Sequence, residues 1–198
     1  MSNGDVNQGR RRFLIGATSV VGGVGVVGAA VPFVASWNPS AKAEAAGAPV
    51  TVNISKVEPG QKITVEWRGK PVWVIRRTGE MLENIEKLTD RLRDPNSEEP
   101  QQPPYITDGT FRALKPEIAV MVAICTHLGC VPSYRPEIAP ADLGEEWLGG
   151  LFCPCHGSRY DMAGRVYLSQ PAPLNLEIPP YRFDDDATVT IGLDPEAA

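Results

Sequence analysis

Hydrophobic and polar positions divide the chain into zones before any single residue is weighed. A polar lead gives way at Phe13 to a run that carries no charge as far as Ala35. That run is about the length a helix needs to cross a bilayer core at ~1.5 Å per residue. Residues 36–49 are rich in Ala, Pro and Ser without an apolar period, which predicts a flexible tether. Alternation then predicts a strand over 50–54, and 62–67 with 72–76 form a hairpin around Arg68-Gly69-Lys70-Pro71. The period changes next. Met81, Leu82, Ile85, Leu88 and Leu92 share one helical face, closed by Asp94-Pro95, and a polar, Pro-rich loop runs on to Pro104. Residues 118–124 form a compact apolar strand leading into Cys125. Residues 165–168 and the pair 181–183/188–191, joined through Asp184-Asp185-Asp186, complete the strands. No internal repeat is present. The body is predicted as one mainly antiparallel β domain with a helical insertion.

Composition narrows the class. Gly and Pro number 19 each, which favours a loop-rich β protein over a helical bundle. A charged fraction of 22% with 7% aromatics excludes wholesale disorder, and a net charge of −5 argues against a nucleic-acid binder. Through Ala35 the chain carries three Arg and one Asp, a net of +2, so the remainder carries −7. Arginines just before the apolar run belong on the cytoplasmic side, which puts everything after Trp37 across the membrane. Arg10-Arg11-Arg12-Phe13-Leu14 resembles a twin-arginine export signal, although Gly9 stands where Ser or Thr is common and Ile15 where Lys is common. A Sec-type anchor with a basic flank is the alternative. The length of the run favours a retained anchor, while Ala41-Lys42-Ala43 would serve as a cleavage site.

All 4 Cys and both His fall in two short boxes. The first is Cys125-Thr126-His127-Leu128-Gly129-Cys130, the second Cys153-Pro154-Cys155-His156-Gly157-Ser158. A lone Cys or His is usually structural; confinement of all six to matched boxes points to a metal. Zinc would accept a tetrahedral set drawn from the six. A [2Fe–2S] cluster would take Cys125 and Cys153 on one iron and His127 and His156 on the other. It would leave one cysteine per loop, a pair that an oxidising compartment would join.

The two boxes, with Arg159-Tyr160-Asp161 after the second, resemble the Rieske iron–sulfur subunits of bacterial cytochrome bc1 complexes, the ubiquinol–cytochrome c reductases. The likeness extends over nearly the whole chain, through basic start, anchor, Ala-rich hinge, β head and helical insertion. It implies a Rieske-type antiparallel β-sandwich head with one N-terminal transmembrane helix. The division would be a cytoplasmic segment at 1–12, an anchor at 13–35, a hinge at 36–49 and a head at 50–198, with cluster loops within 125–173. The resemblance makes Cys125, His127, Cys153 and His156 the ligands of one [2Fe–2S] cluster, with the histidines on the outer iron. It makes Cys130–Cys155 a disulfide. Ser158 and Tyr160 would hydrogen-bond a bridging sulfide and a cysteine sulfur, which raises the potential by favouring the reduced cluster. Leu128 and Pro171, the latter in a proline loop Pro171-Ala172-Pro173, would shield the cluster. That loop follows Ser169-Gln170 where the family often has Gly-Pro, which leaves the local turn to be established.

Neutral imidazoles in place of thiolates remove two negative charges, which puts Rieske centres at about −150 to +300 mV against roughly −400 mV for plant-type ferredoxins. The resemblance therefore implies a subunit that takes one electron from ubiquinol, with the proton accepted by His156, and passes the electron to cytochrome c1. The partners implied are cytochrome b and cytochrome c1 in a dimeric complex of the inner membrane, with the head in the periplasm and the reaction coupled to proton translocation. The subunit is not catalytic alone. An exported zinc module and a Rieske subunit of another oxidoreductase, such as arsenite oxidase, are the rival readings.

Overall fold

The computed structural model describes residues 7–195, so the first six residues of the basic segment and the last three of the head lie outside it. Two compact units divide the chain after Ala45. The first holds a single long helix, α1 (Gln8–Ala35), which takes in the arginines as well as the apolar run. The Asn7 side chain caps it by accepting from Arg10 N at 3.1 Å. Its side chains are exposed throughout and its mean hydropathy reaches 2.0, as suits a helix that meets lipid.

The segment expected as a tether differs from a plain coil. A seven-residue helix, α2 (Ala41–Gly47), begins where Ser40 Oγ accepts from Ala43 N. Alanine is the strongest helix former, and a serine cap is enough to start a turn in AKAEAAG.

The second unit is built from nine antiparallel strands in three sheets of three. The first sheet has order β1-β9-β8, from β1 (Val50–Asn53), β8 (Tyr181–Asp185) and β9 (Thr188–Ile191). The second is β2-β3-β4, from β2 (Lys62–Trp67), β3 (Lys70–Arg76) and β4 (Ile118–Val122). All five residues of β4 are buried, as a strand covered on both faces requires. The third sheet, β5-β6-β7, consists of β5 (Ser133–Arg135), β6 (Gly150–Phe152) and β7 (Arg159–Tyr160). One apolar core joins residues from all three sheets, among them Val72, Val120, Leu151, Tyr160 and Ile191.

The helical insertion packs behind the third sheet. α3 (Gly79–Lys87) starts where Thr78 Oγ1 accepts from Met81 N at 3.2 Å. It stops earlier than the apolar period implies, because Thr89 Oγ1 donates to Glu86 O and the chain tightens into a 3-10 turn over Thr89–Arg91. Met81 and Ile85 pack against Met162 and Ala163, whereas Leu88 and Leu92 join Tyr167 in a separate cluster. Residues 165–168 are not a strand. Val166 and Tyr167 make only single-residue bridges, to Tyr160 and Leu92. Side chains take the donors a ladder would use: Arg165 N goes to Asp161 Oδ1 and Val166 N to Asn175 Oδ1.

Candidate metal centre

The two boxes leave sheet strands and fold into loops with the same backbone bracket. In the first, Cys125 N donates to Cys130 O at 2.8 Å and Gly129 N to Cys125 O at 3.0 Å. In the second, Cys153 N donates to Ser158 O at 2.8 Å and Gly157 N to Cys153 O at 2.9 Å. The fifth residue of each bracket must turn left-handed, with φ of 82° at Gly129 and 79° at Gly157. A Cβ there would meet open space, so the backbone angle alone calls for glycine.

These brackets sort the six residues. Cys130 and Cys155 form a disulfide across the loops. Cys125 and Cys153 are free and buried. Burial pushes the Cys153 thiol up, and a hydrogen bond shared with Cys125 adds to the rise. The sulfurs of Cys130, Cys153 and Cys155 lie within 4.8 Å of one another, but the disulfide leaves only Cys153 of the three as a thiolate donor. The His127 and His156 rings stand edge to face with centroids 4.6 Å apart. His156 is exposed and His127 half-buried. His127 Nδ1 is buried without a hydrogen-bond partner, an orphan nitrogen that a metal would satisfy. Two free thiols and two adjacent imidazoles suit a mixed Cys/His cluster and would equally suit tetrahedral zinc.

The surroundings are more telling. Tyr160 is fully buried and its hydroxyl donates to Cys125 Sγ at 3.2 Å. Thr126 N donates back to Tyr160 Oη at 3.2 Å, and Thr126 Oγ1 donates to Leu174 O at 2.7 Å. Burial, and then the contact with Cys125, push the Tyr160 phenol far above its usual range, so it remains a donor. Ser158, also fully buried, accepts from Ala172 N at 3.1 Å. Leu128 stands 70% exposed beside His127. Pro171 is exposed, and its neighbour Ala172 is the residue of the proline loop that turns inward.

The Ser169-Gln170 departure has a local solution. Ser169 takes φ 57°, the left-handed conformation that glycine adopts freely. Gln170 Oε1 accepts from Arg159 N at 3.2 Å, tying the loop to β7. Sequence reasoning missed Gln170, Thr126 and Asn175. Thr126 sits inside the first box and had a signal in its position; Asn175 had none.

A family model described as Rieske [2Fe-2S] domain matches residues 48–180. A second, described as ubiquitinol-cytochrome C reductase Fe-S subunit TAT signal, matches residues 1–40. The ubiquinol-cytochrome c reductase iron-sulfur subunit of Allochromatium vinosum is 57% identical over 194 residues, which cover 98% of this chain and 93% of that one. The protein of the same name from Rhodospirillum rubrum is 44% identical over 185 residues, covering 92% and 91%. Among solved structures, one named hyperthermophilic respiratory Complex III aligns over 90% of this chain and 98% of its own, with 27% identity and a TM-score of 0.48. The twin-arginine match and the disulfide agree on an oxidising destination. The chain thus belongs to the Rieske [2Fe–2S] family, in the branch of the ubiquinol–cytochrome c reductase iron–sulfur subunits.

Proposed function

We propose that this chain is the membrane-anchored iron–sulfur subunit of a ubiquinol–cytochrome c reductase. Cys125 and Cys153 would hold the inner iron of one [2Fe–2S] cluster, and His127 and His156 the outer iron. When bound, the cluster supplies a one-electron relay from ubiquinol to cytochrome c1, within a complex that couples the transfer to proton translocation. The observation that carries the reading is the pairing of buried thiols and an orphaned histidine nitrogen inside two disulfide-closed loops.

The chain's own residues divide the work. His156, exposed at the loop tip, accepts the hydrogen bond of the quinol hydroxyl and then its proton. Leu128, the exposed apolar neighbour of His127, meets the quinone site and excludes water there. Tyr160 donates to the Cys125 sulfur, Ser158 would donate to a bridging sulfide, and both favour the reduced centre. Residues 13–35 form the anchor, 36–49 a hinge that lets the head at 50–198 travel between cytochrome b and cytochrome c1, and the head lies in the periplasm. The assembly is a dimer.

Low-temperature EPR of membranes containing the protein, reduced with ascorbate alone, tests this. A rhombic signal with average g below the free-electron value supports it. A signal that needs dithionite would turn the reading to a low-potential carrier. No signal, with zinc found by metal analysis, would leave a binding module.

A further inference from the structure

The hydroxyls of Tyr160 and Ser158 are held by different bonds, yet their supports converge on one buried side chain. Asn175 is fully buried. Its Oδ1 accepts from Val166 N at 2.8 Å, and Val166 stands opposite Tyr160 in a single antiparallel bridge. Its Nδ2 donates to Asp94 O at 2.9 Å and to Ser97 Oγ at 3.2 Å, both in the loop that follows the helical insertion. Ser97 Oγ donates onward to Gly109 O at 3.0 Å. The amide therefore joins the loop after the insertion, the bridge residue Val166 opposite Tyr160 and the end of the proline loop.

The backbone on either side of Asn175 carries that position to the centre. Leu174 O receives Thr126 Oγ1, and Thr126 N is the donor held against Tyr160 Oη. Three residues upstream, Ala172 N donates to Ser158 Oγ. That bond occupies one lone pair of Ser158 and leaves its proton free to donate. Arg93 steadies the outer face by donating to Gln170 O at 3.2 Å. Only a short amide supplies an acceptor for Val166 and donors for the loop after the insertion in this space. Aspartate has no donor and leucine has neither.

We propose that Asn175 is a positioning residue for the Tyr160 hydroxyl, which donates to Cys125 Sγ, and for Ser158, assigned above to a cluster sulfur, and so sets the cluster's potential without touching it. The inference rests on the ligand assignment above and adds to it a role for the loop after the helical insertion, which latches the proline loop through this amide.

The test uses the full-length chain in its membrane complex, with midpoint potentials from EPR-monitored redox titration and fold checked by thermal melting. Asn175→Ala should lower the midpoint. In that background Tyr160→Phe should shift the midpoint by less than half of what it does in the parent chain. Full additivity, or an unchanged midpoint with the cluster present, overturns the proposal. If Asn175→Ala assembles no cluster, Ser97→Ala decides, since it keeps the amide and removes one partner: a lowered midpoint supports the proposal and an unchanged one overturns it. Absence of the rhombic signal from the parent chain would instead refute the cluster assignment itself.

Discussion

Removing one oxygen atom at Tyr160 is the most direct probe of how the protein sets its redox poise. Tyr160→Phe keeps the ring, which is fully buried in the core, and deletes the donor 3.2 Å from Cys125 Sγ. A hydrogen bond to a charged acceptor contributes roughly 1.5–3 kcal/mol against about 1 kcal/mol for a neutral one. Sulfur gains negative charge on reduction, but the charge is spread over the centre, so the differential is set at about 1 kcal/mol. A one-electron couple moves ~59 mV for each tenfold change in equilibrium, so the midpoint should fall by about 40 mV. Thr126 N also loses its acceptor, which costs about 1–2 kcal/mol of stability where the amide is shielded from water. Because burial and the sulfur contact keep the phenol protonated well beyond neutral pH, the shift should be the same across neutral and mildly alkaline buffers. Redox titration followed by EPR or visible circular dichroism reads the first effect, and thermal melting the second. A raised or unchanged midpoint, with the cluster intact, would refute the hydroxyl's role as a donor to sulfur.

Three further outcomes are expected. Replacing Cys130 and Cys155 together by Ala opens a link spanning 25 residues, and should lower stability by about 3–4 kcal/mol in the chain-entropy account, seen as earlier bleaching of the visible spectrum on heating. Asp161→Asn strips the charge from an ion pair with Arg165 in which both side chains are fully buried, and should cost about 3–5 kcal/mol in denaturant titration. The added Arg165→Met should recover part of that loss, and no recovery would contradict the assignment of the cost to an uncompensated charge. Burial pushes Tyr134 and Tyr181 up to about 12, so the fold favours their neutral forms. Their contribution is complete below the ordinary phenol value of about 10 and is lost as pH rises through about 12. Spectrophotometric titration should show these tyrosines ionising late and together with unfolding, and early independent ionisation would contradict it.

What could be read from sequence was what depends on neighbours in the chain. The β2–β3 hairpin follows from alternation around Arg68-Gly69, and both boxes announce themselves because every Cys and His of the chain falls within them. Of the strands that flank those boxes β4 was legible, whereas β5, β6 and β7 have two or three residues each, too few for a period to register. The helical face through Leu92 was read as one helix because its apolar spacing survives the change to a 3-10 turn. Residues 165–168 looked like a strand because the apolar pattern does not report that the side chains of Asp161 and Asn175 take the amides of Arg165 and Val166. Asn175 shows the limit most clearly. Its partners are 9, 78 and 81 positions away, and an asparagine after a proline loop looks like ordinary turn chemistry.

The Cys130–Cys155 link makes the stretch between the boxes a covalent ring that contains β5, β6 and the exposed turn around Ile138. A protease cutting that turn would therefore leave one molecule rather than two fragments. The severed pieces would still be held by the disulfide and by the ladder that pairs β5 with β6 across the cut. The exposed Ile138 turn lies inside the ring, and the free cysteine Cys153 lies beside its closing disulfide. On a gel without reductant the nicked chain should run as one species, and it should separate only when the link is reduced.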